Sequence, residues 1–301
     1  MMMSKTKAIR GKILVGLSAA AVIMILAIMV IILVVIVKGG RSQFSWEFLT
    51  TFPTDGMTKG GIFPAIYGTV LMVFIMSLAA VPFGTITAIY LTEYASENSV
   101  IAKSIRFAIR TLAVVPSIIF GLFGLGFFIK FVGGNIDSLL LGGKLVWGQP
   151  NILWASLTMA LLTLPVVIVS VEESMKTVPR ELREASLALG ATKWQTIKKI
   201  VIPGSISGII TGSILAIGRG AGEVAPLLFT GAAYYLATLP QTLHDQFMVL
   251  GYHIYIMSTQ SANVDQTLPI QFATTLVLLL LTFSLNIIAA LIRSHIRRRA
   301  K

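Results

Sequence analysis

Long stretches of this chain run for 19 residues or more without a single Asp, Glu, Lys or Arg, among them 13–37, 60–92, 111–129, 145–171, 200–218 and 266–292. A helix needs roughly 20 apolar residues to cross about 30 Å of hydrocarbon. Each run is therefore long enough to span a bilayer. Only 12% of all residues are charged, against roughly 25% in soluble domains. The expected fold class is all-α: a polytopic membrane protein with six transmembrane helices.

The first run follows Lys5, Lys7, Arg10 and Lys12, as a secretory signal would. Its 25 apolar residues are too many for a signal core, and Val37-Lys38-Gly39 is no small-residue cleavage site. A retained anchor is expected. Lys and Arg then set the orientation, because cytoplasmic segments of membrane proteins are enriched in them. With six spans and the N-terminus inside, 18 of the 24 basic residues fall in the N-terminal tail, 93–110, 172–199 and the tail from Arg293 to Lys301. The 12 acids divide equally between the two sides, so the whole excess of +12 is cytoplasmic. Both termini are expected inside a bacterial-type plasma (inner) membrane.

Residues 224–243 are also uncharged, but Pro226, Gly231 and Pro240 interrupt them. A seventh span there would put the Arg-rich C-terminus outside. The segment is expected to continue the fifth span into kinked, re-entrant or extracytoplasmic structure, with its broken backbone satisfied by protein. The outer loop 38–59 carries Phe44, Trp46 and Phe48, which are read as residues at the lipid headgroups.

Several functions are excluded. The basic residues lie between apolar spans rather than on one soluble surface, so no nucleic-acid partner is expected. Without cysteine there is no disulfide framework. His244, His253 and His295 stand far apart with no ligand-type neighbours, and no metal site is expected. Neither Gly11-Lys12 nor Gly143-Lys144 is followed by Ser or Thr, so the chain has no phosphate cradle of the G-x4-G-K-[ST] type. No nucleophile with a nearby base stands out in the spans.

Between the fourth and fifth runs, residues 177–199 read as helix, turn, helix. Pro179 suits a first turn, and Glu181 sets negative charge near the positive helix end. Leu182, Ala185, Leu187 and Leu189 offer apolar contacts, with Arg183 and Glu184 interleaved. Gly190 permits a sharp change of direction, and Pro203 sits near the entry of the next span. Within the fifth run Gly204, Gly208 and Gly212 recur every four residues, a spacing that lets helices approach closely. They pack either within the chain or against a partner.

Arg219 and Glu223 are the only charges between Lys199 and Asp245. At i and i+4 they share a face if helix persists through Gly220 and Gly222. Intramembrane charges normally face the interior and pair. Two readings stay open: a mutual salt bridge that locks the span, or an Arg219 guanidinium offered to an oxyanion through a two-pronged contact. In the second, Glu223 holds Arg219 until substrate arrives or accepts a hydrogen bond from a protonated anion.

The order Glu184-Ala185-Ser186, Gly190, then Ile200-x-Ile202-Pro203 resembles the docking loop of ABC-importer permeases, E-A-A-x3-G-x9-I-x-L-P. Ser186 replaces an Ala and Ile202 a Leu. The runs 88–94, 115–122, 187–196 and 218–227 are similar to those of phosphate-importer permeases, and Gly222-Glu223-x-Ala225-Pro226-Leu227 is closer to the A-type than to the C-type subunit.

The resemblance implies a type I importer permease core within 61–301, preceded by a tail, anchor and outer loop in 1–60. It implies that Arg183, Glu184, Ala185, Gly190 and Pro203 serve ATPase coupling, and that Arg219 and Glu223 belong to the substrate pathway. The implied partners are a C-type permease subunit, two ATPase subunits that carry the ATP and Mg, and an extracytoplasmic phosphate-binding protein. This chain itself would bind no cofactor. Sulfate or molybdate is the alternative cargo, and a stand-alone channel or secondary transporter the alternative class.

Overall fold

The computed structural model describes residues 2–96, 98–261 and 263–299. Glu97 and Lys301, which enter the charge partition, lie outside the described residues. Among those described, six helices are long and apolar enough to cross a membrane: Gly11–Gly40, Phe63–Tyr94, Ser117–Leu140, Ile152–Lys176, Lys193–Ala221 and Val264–Ser294. Six spans were expected, but several boundaries move, and each shift has a local cause.

The third span starts at Ser117 rather than at 111. Pro116 lacks an N–H and breaks the helix, so residues 111–114 belong to a separate amphipathic helix, Val100–Val114, that connects the second and third spans. The third span also continues past Lys130, through π-helical turns at Gly124–Gly133, to Leu140. Asp137 near its end is buried, and its carboxylate accepts the N–H groups of Val146, Trp147 and Gly148 at 2.9, 2.8 and 2.7 Å. The fourth span starts at Ile152 rather than 145, where Asn151 caps it by accepting the Trp154 N–H at 2.9 Å. It runs on to Lys176 because Glu172 is paired with Arg106 and Lys176 instead of facing lipid.

The core lies between the second, fourth and fifth spans. Met72, Met76, Met159, Val167, Ile168, Val171, Met175 and Val201 are buried there as one cluster. A second cluster at one end joins Phe48, Ile62, Ala65, Met248, Leu250, Met257, Ile270 and Ala273. Phe48 is thus a core residue, which corrects its assignment to the headgroup region; Trp46 and Phe44 are exposed. The first span touches the rest of the chain chiefly along the sixth and is otherwise exposed.

Residues 224–243 form no span. The fifth helix ends at Ala221, a four-residue helix follows at Leu227–Thr230, and the chain then runs irregularly to a further helix, Leu250–Thr259. Parts of its backbone are paired with protein. The carbonyls of Thr230, Asp245 and Leu243 accept the N–H groups of Asn151, Ile152 and Leu153 at 3.1, 2.9 and 3.2 Å. These are the N–H groups that the start of the fourth helix leaves without an intrahelical partner. The Leu250–Thr259 helix was not anticipated, since its ten residues are too short and too mixed to stand out.

The glycine stripe packs within the chain. A side chain at Gly204, Gly208 or Gly212 would approach Val178, Ser174 or Ser170 to 3.1, 2.4 or 2.3 Å. Ser170, Ser174 and Val178 repeat at the same four-residue spacing on or just beyond the antiparallel fourth span. The stripe therefore fixes how closely these two spans lie.

Candidate functional site: a loop helix and two charged cavities

The loop between the fourth and fifth spans folds as helix, turn, helix. Arg180–Ala188 is the first helix, starting after Pro179. The Ala191 N–H bonds the Ser186 carbonyl at 3.2 Å and the Gly190 N–H bonds the Leu187 carbonyl at 3.0 Å. With Gly190 at φ +84°, this is a complete Schellman ending, in which a left-handed residue reverses the chain. Thr192 then opens the next helix with a capping box closed by Gln195. That helix continues through a π-helical segment, Ile197–Val201, into the body of the fifth span. Pro203, expected near the entry of the span, lies inside this continuous helix, just past the wider turn.

The loop helix buries none of its residues. Leu182, Leu187, Leu189 and Trp194 are exposed, Leu189 to 90%. Glu184 and Ala185 also face outward. Such an apolar surface on an otherwise charged helix is unexplained by the isolated chain.

Arg183 points the other way. Its side chain is 17% exposed, lies 3.2 Å from the buried carboxylate of Glu93 and donates to the Met175 carbonyl at 2.7 Å. It lines a cavity of about 580 Å³ with Thr92, Arg106, Glu172, Lys176 and Arg180. On the same wall Arg106 pairs with Glu172 and donates to the Leu91 carbonyl at 3.0 Å, and Lys176 lies 3.2 Å from Glu172. The sequence reading missed Glu93, Arg106 and Glu172. Their signal was a set of charges at span ends, which is indistinguishable from ordinary solvated termini.

A second cavity, of about 300 Å³, brings Arg219 and Glu223 together. Its other walls are Leu112, Ala113, Val115 and Ser117 at the junction of the connecting helix with the third span, and Leu162, Thr163 and Val166 of the fourth. The mutual salt bridge of Arg219 with Glu223, one of the two readings left open, does not form. The helix ends at Ala221 and turns at Gly222, so the two no longer share a helical face. Neither enters a salt bridge among the described residues. Arg219 sits in the last helical turn, where unpaired carbonyls favour a cation, and its guanidinium has no acidic partner among the described residues.

On the far side of the irregular segment, burial works against the Asp245 carboxylate. The N–H groups of Thr242 and Gln241 outweigh it and hold its pKa below the usual range. His253 on the Leu250–Thr259 helix is 2% exposed, and burial lowers its pKa to about 4.

The sequence profile of the family described as "binding-protein-dependent transport system inner membrane component" matches residues 80–299. A probable ABC transporter permease protein, YqgI of Bacillus subtilis, is 34% identical over 237 residues, covering 75% of this chain and 76% of that protein. The phosphate transport system permease protein PstA 1 of Mycobacterium tuberculosis H37Rv is 34% identical over 242 residues, covering 80% and 72%. Among solved structures, a bacterial alginate ABC transporter in complex with an alginate-bound periplasmic protein superimposes with a TM-score of 0.67 at 17% identity, covering 97% of this chain and 96% of that one. An inward-facing methionine ABC transporter gives 0.59 at 17% identity, covering 77% and 94%. The fold is that of an ABC importer permease, and the chain belongs to the binding-protein-dependent transport system inner membrane component family.

Proposed function

We infer that this chain is one permease subunit of an ATP-driven, binding-protein-dependent importer of inorganic phosphate, forming half of the translocation pathway. The observation that carries the reading is the loop helix Arg180–Ala188, which buries none of its residues and ends in a full Schellman turn at Gly190. A rigid apolar peg of this kind fits a cleft on an ATPase subunit, with Glu184, Ala185, Leu187 and Leu189 as the contact. Two ATPase subunits supply the ATP and Mg chemistry that this chain's family leaves to a partner. A second, C-type permease completes the pathway, and an extracytoplasmic phosphate-binding protein delivers the anion.

Phosphate as cargo is supported by relatives named as phosphate permeases, PstA 1 of Mycobacterium tuberculosis and PstA of Yersinia pestis among them. It is also supported by the chemistry of the smaller cavity. Arg219 offers a planar guanidinium with no acidic partner, suited to an oxyanion that passes between spans. Glu223 shares the cavity without neutralising Arg219 and is placed to accept a hydrogen bond from a protonated phosphate, which sulfate cannot donate. Both termini lie in the cytoplasm on this reading.

Uptake of labelled phosphate, sulfate and molybdate by the assembled complex in vesicles tests it. Phosphate alone should be taken up, and only with ATP. Uptake of sulfate in preference would move the cargo, and conduction by this chain without the ATPase would remove the importer reading.

A further inference from the structure

The buried charges behind the loop helix do more than hold it. Glu93 ends the second span, Glu172 lies in the fourth, Arg106 lies in the connecting helix and Arg183 in the loop helix. Arg183 faces Glu93 and grips the Met175 carbonyl, while Arg106 grips both Glu172 and the Leu91 carbonyl. The two arginines thus tie four elements at one end of the bundle. Glu93 and Glu172 are only 10% and 8% exposed and Arg183 17%, so water screens the Arg183–Glu93 pair less than the Arg106–Glu172 pair, whose arginine is 38% exposed. A surface pair between mobile side chains would be weak; these are held in place by backbone acceptors as well.

The connecting helix has a second end. Leu112 and Ala113, six and seven residues beyond Arg106, line the cavity that holds Arg219. At 1.5 Å per residue that is about 10 Å of helix, a short stiff rod. A displacement of the loop helix would thus bear on Glu93 through Arg183, and on the wall of the smaller cavity through the helix that carries Arg106.

We propose that Arg183, Glu93, Arg106 and Glu172 are positioning residues that transmit the ATP-driven movement of the loop helix to the Arg219 cavity. The proposal rests on the loop being the ATPase contact. It assigns Arg183 to transmission inside the subunit rather than to the ATPase surface. It does not depend on which anion is carried.

The test uses the whole complex and the absence of native cysteine in this chain. A single thiol at Thr111→Cys, exposed on the connecting helix, carries an environment-sensitive fluorophore, and ATP with vanadate drives the complex through its stroke without substrate. With the otherwise native chain the emission should shift. Glu93→Gln and Arg183→Gln should each cut that shift at least fivefold, measured per assembled complex that retains stoichiometric ATPase. The exchange Glu93→Arg with Arg183→Glu should recover at least half of it.

A merely structural tie would lower the yield of complex and leave the shift per assembled complex unchanged. That result overturns the proposal, as does loss of the ATPase from Arg183→Gln complexes or absence of a shift in the native background. Gly190→Val, measured alongside, separates the two layers. If it abolishes the shift and Glu93→Gln does not, transmission by the clamp fails alone; if the ATPase stays bound and the shift survives Gly190→Val, the loop reading fails. Phosphate uptake is scored separately, so its failure touches the cargo and not the clamp.

Discussion

Gly190 offers a clean measurement of what the turn contributes. Its φ of +84° is left-handed, and a Cβ built there would meet nothing within 4 Å. A substitution at this position therefore changes backbone energy without a steric clash to confuse it. Left-handed backbone costs an ordinary L-residue about 1–2 kcal/mol, and the upper part of a range of about 1–3 kcal/mol applies where strain is least tolerated, as for a β-branched residue. At about 1.4 kcal/mol per factor of ten, Ala should weaken the docking conformation roughly fivefold and Val roughly thirtyfold or more. Asn, which visits this region more readily, should fall between Gly and Ala. The assay is the concentration of ATPase subunit needed to saturate substrate-stimulated hydrolysis by the reconstituted complex. The midpoint should rise in the order Gly, Asn, Ala, Val, with the permease inserted normally in each case. Equal midpoints for all four, or Asn worse than Val, would refute the argument that this turn presents the loop to the ATPase.

At the smaller cavity, Arg219→Gln should abolish phosphate uptake while the complex assembles and hydrolyses ATP, and Arg219→Lys should rescue poorly because one ammonium cannot make a two-pronged contact. Since Arg219 is not salt-bridged to Glu223, the double change Arg219→Gln with Glu223→Gln should stay inactive; recovered uptake would show a structural pair. Cysteines introduced at Ser4 and Ala300 should be labelled only by reagents that reach the cytoplasm, and extracytoplasmic labelling of the Ala300 site would establish an odd number of spans. For His253 the folded pKa of about 4 lies below the ordinary 6.5, so the unfolded chain takes up a proton first as pH falls. Its contribution to stability is whole above pH 6.5, declines through the window down to about 4, and is worth on the order of 3 kcal/mol. Melting of the solubilised protein at pH 7 and pH 4.5 should show this loss, and His253→Gln should reduce it.

What was legible in the sequence follows from how strongly each feature is constrained. Long charge-free runs gave the number of spans, because hydrocarbon admits little else. The loop was legible because Gly190 and the capping residue Thr192 state local rules. Boundaries were less so: the reading treated a charge as the end of a span, whereas Lys130, Asp137 and Glu172 all lie inside helices. Each of the two acids has found a partner elsewhere in the chain, and such pairing is tertiary information. The same limit hid the Arg183–Glu93 contact, since the two residues are 90 positions apart, and it left the Gly204, Gly208 and Gly212 stripe without an assigned partner until Ser170 and Ser174 were seen opposite. For Arg219 and Glu223 the spacing suggested a pair, and the helix ending at Ala221 undid it.

The wide turns at Tyr90–Tyr94 and Ile197–Val201 flank the loop helix on both sides of the clamp. A π-helical turn holds one residue more than an α-helical turn does. Migration of that surplus residue along the axis would re-register the hydrogen-bond ladder rather than tear it. A push that reached such a joint as translation would emerge partly as rotation, turning a different row of side chains toward the centre of the bundle. The second and fifth spans both carry such a turn at the end nearest the loop. A bundle jointed in this way would respond to a push less like a hinge than like a screw.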